Sequence, residues 1–400
     1  MFAERVVSGM RPTGAMHLGH YHGALKNWVK MQSEVPCLFF VADWHALTTN
    51  YADPSGIEKS TWDMLIDWLA AGVDPSKATL FIQSRVLEHA ELHLLLSMSA
   101  PLGWLERVPT YKEQIEKLKD KDLSTYGFLG YPVLMSADIL LYRASQVPVG
   151  EDQLPHIEMT REIARRFNHL YGKEKDFEAK VQESIKKLGG KVGKEFATLR
   201  AAYQEQGKHE ALSQAKVLLD RAQSLSQADR ERLSGYVEGT GKIILLEPQA
   251  RLTEASRLPG LDGQKMSKSY GNSITLREDK DSVVKKIRTM PTDPARVRRT
   301  DAGDPERCPV WKLHQVYSDA ATKEWVVKGC TSAGIGCIEC KQPVVEGVLK
   351  EQEPMRERAQ RYLDDPSLVR AIVDDGCDKA RKLAQETMRD VREAMGLHYR

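Results

Sequence analysis

No stretch of about 18 consecutive apolar residues occurs in the chain, so a membrane-spanning helix is not expected. The first residues hold no apolar core of the kind that marks a secretory signal. Nor is there a large charge of either sign. Fifty-eight Lys and Arg stand against 56 Asp and Glu, a formal +2, so any nucleic-acid surface must be a local patch. Cysteine is scarce, six in 400 residues, which does not read as a disulfide framework. There is no G-x-G-x-x-G, and a dinucleotide cofactor has no support. A cytoplasmic location is the resulting expectation.

Four hundred residues with 41% apolar content allow two or three domains, at about 150 residues each, and a substantial core. Apolar runs of strand length at 3–9, 36–43 and 79–83 alternate with helical spacing over 18–33 and 55–71. That alternation predicts an α/β fold with a Rossmann-like parallel sheet and right-handed crossovers. Ligands of such sheets bind at the carboxyl ends of the strands.

The first strand-to-helix turn reads Gly9-Met10-Arg11-Pro12-Thr13-Gly14-Ala15-Met16-His17-Leu18-Gly19-His20. Free backbone N–H groups and the helix dipole converge on such a turn and suit it to phosphate. His17 and His20 can each donate to a phosphate oxygen, and Gly19 lets a flat base approach the backbone. Two ordinary histidines at a helix start would look the same. A second stretch favours the phosphate reading: Gly263-Gln264-Lys265-Met266-Ser267-Lys268-Ser269-Tyr270-Gly271-Asn272, a glycine-flanked loop whose two lysines are mobile point charges suited to a triphosphate. Together the two stretches point to ATP.

Further along, 128–142 carries apolar residues at helical spacing with Asp138 inside it, where an unpaired carboxylate would cost several kcal/mol. A neighbouring backbone group, or an arginine such as Arg143, would satisfy it; so would a ligand. Val147 and Val149 alternate on a short strand, and Gly150-Glu151-Asp152-Gln153 opens another helix, where carboxylates commonly serve as caps.

Gly14 to His20 resembles the HIGH signature and Lys265 to Ser269 matches KMSKS, the two signatures of class I aminoacyl-tRNA synthetases. Tyr131 to Tyr142 and Val147 to Gln153 resemble the amino-acid pocket of the tryptophanyl branch. The resemblance implies that His17, His20, Lys265 and Lys268 are catalytic and that Arg11, Thr13, Gly19, Asp152, Met266 and Ser267 bind ATP with Mg²⁺. Arg11 stands where some members carry glutamine. It further implies that Tyr131, Met135, Asp138, Val147, Val149 and Gln153 hold L-tryptophan, Asp138 taking the indole N–H and Met135 packing on the ring. The implied partners are tRNA(Trp) and a second copy of the chain. The implied reaction joins tryptophan to the α-phosphate of ATP and then to the terminal adenosine of the tRNA.

Three other readings share some of these motifs: a tyrosyl enzyme, a small-molecule adenylyltransferase, and a non-catalytic RNA-binding paralogue. The pocket segments disfavour the first, KMSKS and the helical tail the second, and the intact histidines and lysines the third.

Expected boundaries are a catalytic domain over 1–171, returning at 243–279 with the KMSKS loop, a helical insert over 172–242, and an α-helical anticodon-binding domain over 280–400. The insert lacks Pro, Cys, Met and Trp and carries 14 basic against 11 acidic residues, with apolar spacing for three or four helices. An RNA-contacting arm and a solvated appendage are both open for it. Residues 100–126 read as a helical connection at a dimer interface. The position of a lysine that other members use falls at Gln114, with Lys117 and Lys119 nearby, and no role is transferred. Lys285, Lys286, Arg288, Arg296, Arg298, Arg299 and Arg307 form the densest basic stretch, a solvated face or a set of phosphate contacts. Two or three amphipathic helices are expected over 343–396.

Cys308, Cys330, Cys337 and Cys340, separated by 21, 6 and 2 residues, form a four-thiolate set suited to zinc or an iron–sulfur cluster. Their spacing alone does not distinguish the metals. The resemblance favours a structural [4Fe-4S] cluster in the anticodon domain, with zinc as the alternative.

Overall fold

The computed structural model describes residues 2–108, 123–173, 176–252, 258–267 and 270–399. Among the described residues five short strands form one parallel sheet in the order β3-β2-β1-β4-β5: β1 Val6–Met10, β2 Cys37–Val41, β3 Ala78–Ile82, β4 Gln146–Val149 and β5 Gln249–Leu252. All five residues of β2 are buried, as a central strand covered on both faces requires. The chain winds outward from β1 through β2 to β3, then returns to place β4 on the other side of β1. The reversal opens a crevice at the carboxyl ends of β1 and β4, which deliver the HLGH turn and the Gly150-Glu151-Asp152-Gln153 turn.

The first crossover was expected to be one helix over 18–33. It is instead α1 Leu18–His20, a π-turn over Tyr21–Leu25 and α2 Lys26–Met31. Such a bulge rotates the side chains on either side of it and is common at functional sites. Asp43, read as the end of a strand, starts α3 Asp43–Asn50, where its carboxylate accepts from the backbone of Ser84 at 3.0 Å. The next helices are α4 Ile57–Ala71, α5 Glu88–Ser97, α6 Leu102–Leu105, α7 Tyr126–Leu140 and α8 Leu154–Tyr171.

The insert contains four helices, α9 Phe177–Leu188, α10 Gly190–Gln204, α11 His209–Arg221 and α12 Gln227–Glu238, closed around their own apolar cluster of Phe177, Val181, Phe196, Leu219 and Leu233. Its two ends meet where Lys242 donates from its backbone to the Gly172 carbonyl at 2.8 Å. After β5 come α13 Lys280–Thr289, α14 Pro309–Tyr317, α15 Ala320–Thr331 and two long helices, α16 Cys337–Asp364 and α17 Pro366–Ala394. One continuous core joins the sheet to these last helices. At Gly376 of α17 a Cβ would stand 1.8 Å from the Leu80 carbonyl, so only glycine lets the helix lie on the edge strand β3. Among the described residues no helix is long and apolar enough to cross a membrane.

Candidate active site

The turn after β1 is held from behind. Asp67 of α4 is buried, accepts the Met16 N–H at 2.8 Å and the Arg277 guanidinium at 2.6 Å, and thereby ties the HLGH turn to the segment following KMSKS. Burial pushes the Asp67 carboxyl above its usual range, with Arg277 opposing. The two segments also pair through backbone: Leu18 donates to the Ile274 carbonyl at 2.9 Å and Leu276 to the Met16 carbonyl at 3.0 Å. Neither Asp67 nor Arg277 is legible as a site residue in the sequence, because they lie 210 positions apart.

His17 and His20 stack with ring centroids 3.7 Å apart. The backbone N–H of His17 donates to His20 Nδ1 at 3.3 Å. Because Nδ1 is the acceptor, the neutral ring carries its proton on Nε2, the arrangement needed to donate to a phosphate oxygen. At Gly19 the expected open face is covered by Met266 of the KMSKS loop: the Gly19 N–H lies 3.4 Å from Met266 Sδ, and a Cβ there would meet Met266 Cβ at 3.3 Å. A base approaching Gly19 must therefore displace Met266. Thr13 and Lys265 are exposed, and Ser267 is half-buried. Lys268 and Ser269 lie outside the described residues, as do Tyr111, Lys112, Gln114, Lys117 and Lys119 of the expected dimer connection.

Asn272 organises the loop. Buried itself, it accepts the Ser267 N–H at 2.7 Å and donates to the Lys265 carbonyl at 3.1 Å and to Asp262 at 2.8 Å. Replacing Asn272 with Ala removes three bonds worth about 1 kcal/mol each and should slow ATP-dependent chemistry about tenfold while leaving the sheet intact. Faster hydrogen exchange at 262–267, with the sheet amides still protected, checks this. A wild-type rate would show that the loop is ordered by other means.

Beside the turn lies a cavity of about 400 Å³, lined among others by Arg11, Phe40, His45, Phe128, Tyr131, Met135, Asp138, Val147, Val149, Gln153 and His156. All six residues expected to hold the amino acid are among them. Asp152 is exposed on the adjoining turn, where its carboxylate accepts from Gln153 Nε2 at 3.0 Å. The Arg11 guanidinium enters the same cavity; burial lowers its pKa, with Tyr131 opposing. Tyr131 Oη lies 2.9 Å from His156 Nε2. Burial lowers the His156 pKa, so near neutral pH the ring is uncharged and Nε2 can accept the hydroxyl.

Asp138 is 1% exposed, and Arg143 does not satisfy it, since Arg143 pairs with Asp390 instead. Three other side chains do. Gln83 Nε2 donates to Oδ1 at 2.8 Å, His89 Nδ1 stands 2.7 Å from Oδ1, and His45 Nε2 stands 2.8 Å from Oδ2. Burial alone would raise this carboxyl, but the two histidines outweigh it and hold it at about 2. His89 in turn bonds the Tyr142 hydroxyl at 2.7 Å. A carboxylate offers about four acceptor positions, so one remains for a ligand. His45 was missed in the sequence, although its place just beyond a buried strand is the signal that could have found it.

At the far end of the helical region, Cys308 caps α14, Cys330 sits in the last turn of α15, and Cys337 and Cys340 occupy the first turn of α16. Among the described residues no group of three or more His, Cys, Asp or Glu is arranged to hold a metal ion. The thiols nonetheless share a neighbourhood: burial, reinforced by Cys308, Cys330 and Cys337, pushes Cys340 up to about 12. Arg296 does not belong to the basic face expected for its stretch. It is 9% exposed, donates to the Ile335 carbonyl at 2.6 Å, and points Nη1 at Cys330 Sγ from 3.9 Å. Its charge thus serves the cysteines.

The profile of the family described as tRNA synthetases class I (W and Y) matches residues 3–194 and 229–350, and the unmatched 195–228 lies inside the four-helix insert. The chain is 74% identical over 399 residues to the tryptophan–tRNA ligase of Ralstonia nicotianae, covering 100% of both chains. It is 44% identical over 398 residues to that of Thermotoga maritima, covering 99% of this chain and 100% of the relative. Among solved structures, tryptophanyl-tRNA synthetase from Campylobacter jejuni complexed with ADP and tryptophan superposes with a TM-score of 0.74 at 29% identity, covering 98% of this chain and 100% of that one. Sheet, paired signature loops and sequence agree, and the chain belongs to the class I tRNA synthetases of the tryptophan and tyrosine family.

Proposed function

We propose that the chain is a tryptophan–tRNA ligase, and the observation that carries this is the buried Asp138 lining a cavity beside the HLGH turn together with Met135, Val147 and Val149. Tryptophan offers one side-chain donor, the indole N–H, and the fourth acceptor position of Asp138 suits it. Met135, Val147 and Val149 flank the ring, Tyr131 and Gln153 face the amino-acid backbone, and Arg11 serves ATP. A phenolic hydroxyl could donate to the same oxygen, and the likeness over the whole chain to tryptophan–tRNA ligases is what favours the indole.

In the first step a carboxylate oxygen of tryptophan attacks the α-phosphorus of ATP, the new acyl–phosphate bond forms, and the bond to pyrophosphate breaks. The nucleophile is already ionised, so no general base is required. What the protein supplies is position and charge stabilisation. His17 and His20 donate to phosphate oxygens, Lys265 and Lys268 neutralise the departing pyrophosphate, and Mg²⁺ accompanies ATP as part of the substrate. Asp152 lies at the ribose. In the second step the 2′-hydroxyl of the terminal adenosine of tRNA(Trp) attacks the acyl carbon and AMP leaves.

Exposed Lys285, Arg288, Arg298, Arg299 and Arg307 are placed for phosphate contacts that orient the tRNA, and the helices over 280–400 serve as its anticodon-binding domain. Leu94, Met98, Leu102 and Tyr126 are large exposed apolar residues around α5 to α7, and they supply a surface for a homodimer. The four cysteines would hold a metal centre, a [4Fe-4S] cluster in preference to zinc. The buried Arg296 Nε has no hydrogen-bond partner among the described residues, and such a cation beside thiolates fits an anionic centre. When bound, the centre fastens the starts of α14 and α16 to the end of α15. Iron and acid-labile sulfide in a 1:1 ratio in anaerobically purified protein supports the cluster, and stoichiometric zinc contradicts it. Cys337→Ser should lose the metal and lower the melting temperature by several degrees. Charging of tRNA(Trp) with tryptophan, and not with tyrosine, tests the reading as a whole.

A further inference from the structure

The helical region reaches the ATP site through two adjacent side chains of α16. Glu351 Oε2 accepts the Tyr317 hydroxyl at 2.8 Å and lies 2.9 Å from His22 Nε2, and His22, 4% exposed, follows His20 by two positions on the π-turn. Gln352, fully buried, donates from Nε2 to the Thr275 carbonyl at 2.7 Å. Thr275 is the residue that bridges His17. One turn of α16 thus grips both walls of the site, the helix bearing the two histidines and the stem that follows KMSKS.

Buried polar contacts of this kind contribute little net stability compared with apolar packing, but they are directional and fix one register. The helix that makes them starts at Cys337 and contains Pro343 and Pro354. Pro354 provides no N–H for the Lys350 carbonyl, and Pro343 none for that of Glu339. The gripping turn therefore lies between two points where α16 can bend.

We propose that Glu351 and Gln352 are positioning residues for tryptophan activation: acting through His22 and Thr275, they set the spacing between the His17–His20 turn and the KMSKS stem. Neither touches a substrate. The proposal rests on the ligase reading above. It makes the rate of adenylate formation respond to the placement of a helix whose first turn carries two of the four clustered cysteines.

The test compares full-length wild type with Gln352→Leu, Glu351→Leu and Glu351→Gln in tryptophan-dependent ATP–pyrophosphate exchange, with tryptophan binding by calorimetry and thermal unfolding on the same samples. A misplacement of the order of 1 Å costs up to about 100-fold, so kcat should fall about tenfold or more in both leucine variants while the KM for tryptophan stays within about twofold. Glu351→Gln keeps a side-chain oxygen for Tyr317 and should recover most of the rate. Wild-type kcat in the leucine variants, or kcat falling only in proportion to the folded fraction, overturns the proposal. If Gln352→Leu does not fold, equal rates for Glu351→Leu and Glu351→Gln overturn it. Absence of exchange from the wild type overturns the ligase reading itself, whereas exchange in the wild type with unaltered variants overturns the positioning role alone.

Discussion

Asp138→Ala should weaken tryptophan binding by about 100-fold or more, because truncating one partner of a buried, charge-assisted hydrogen bond to a ligand costs roughly 2–5 kcal/mol of affinity. Binding and folding are both affected. The indole N–H loses its acceptor, and Gln83, His45 and His89 lose the group that all three address. Asp138→Asn separates them, since it keeps the shape and one oxygen but turns an NH₂ group toward existing donors. It should bind more weakly than wild type and fold better than the alanine variant. The pH dependence follows from the depressed carboxyl. A carboxyl lowered in the folded state stabilises the protein above its unfolded value near 4, and that stabilisation is lost as the pH falls through about 2. Between pH 5 and 9 Asp138 therefore stays ionised, and any change in tryptophan affinity there comes from other groups. Calorimetric titration on the variants decides the matter, and an unaltered dissociation constant for Asp138→Ala would show that the indole is read elsewhere.

His20→Ala should reduce kcat for activation by about 10²–10³-fold, the range found when one preorganised donor to a developing anion is removed. The imidazole is held in one tautomer by the His17 N–H and in one plane by stacking on His17, so no reorganisation is needed when charge develops on the phosphate. Tryptophan affinity should stay within about twofold, because the cavity is lined by other residues. A parallel loss of tryptophan binding would mean that the histidine acts by shaping the pocket instead.

The parts of this site that were legible in the sequence are those encoded locally. Continuous apolar runs announced β1, β2 and β3, and the two signature loops follow from residue types at fixed short spacing. Asp138 was conspicuous as a carboxylate in an apolar helix. Its partners were not, because His45, His89 and Gln83 are 93, 49 and 55 positions away, and a place near the end of a buried strand, the signal His45 offers, does not tie it to Asp138. The same holds for Asp67 with Arg277, and for Asn272, whose amide orders a loop that in sequence looks merely flexible. Arg296 misled for the opposite reason: among neighbouring basic residues it reads as surface, and only the fold reveals it turned inward to Cys330. The π-turn over Tyr21–Leu25 was also invisible, since the apolar spacing there fits an ordinary helix. β5 went unread because the short edge strand Gln249–Leu252 has no buried apolar run.

The central claim, that this cavity and these two loops together activate tryptophan, is tested most directly by amino-acid-dependent ATP–pyrophosphate exchange on the purified protein, with tryptophan, tyrosine and phenylalanine compared. Exchange with tryptophan alone is the predicted result. Exchange with tyrosine at a comparable rate, or none with any of the three from folded protein, would contradict it.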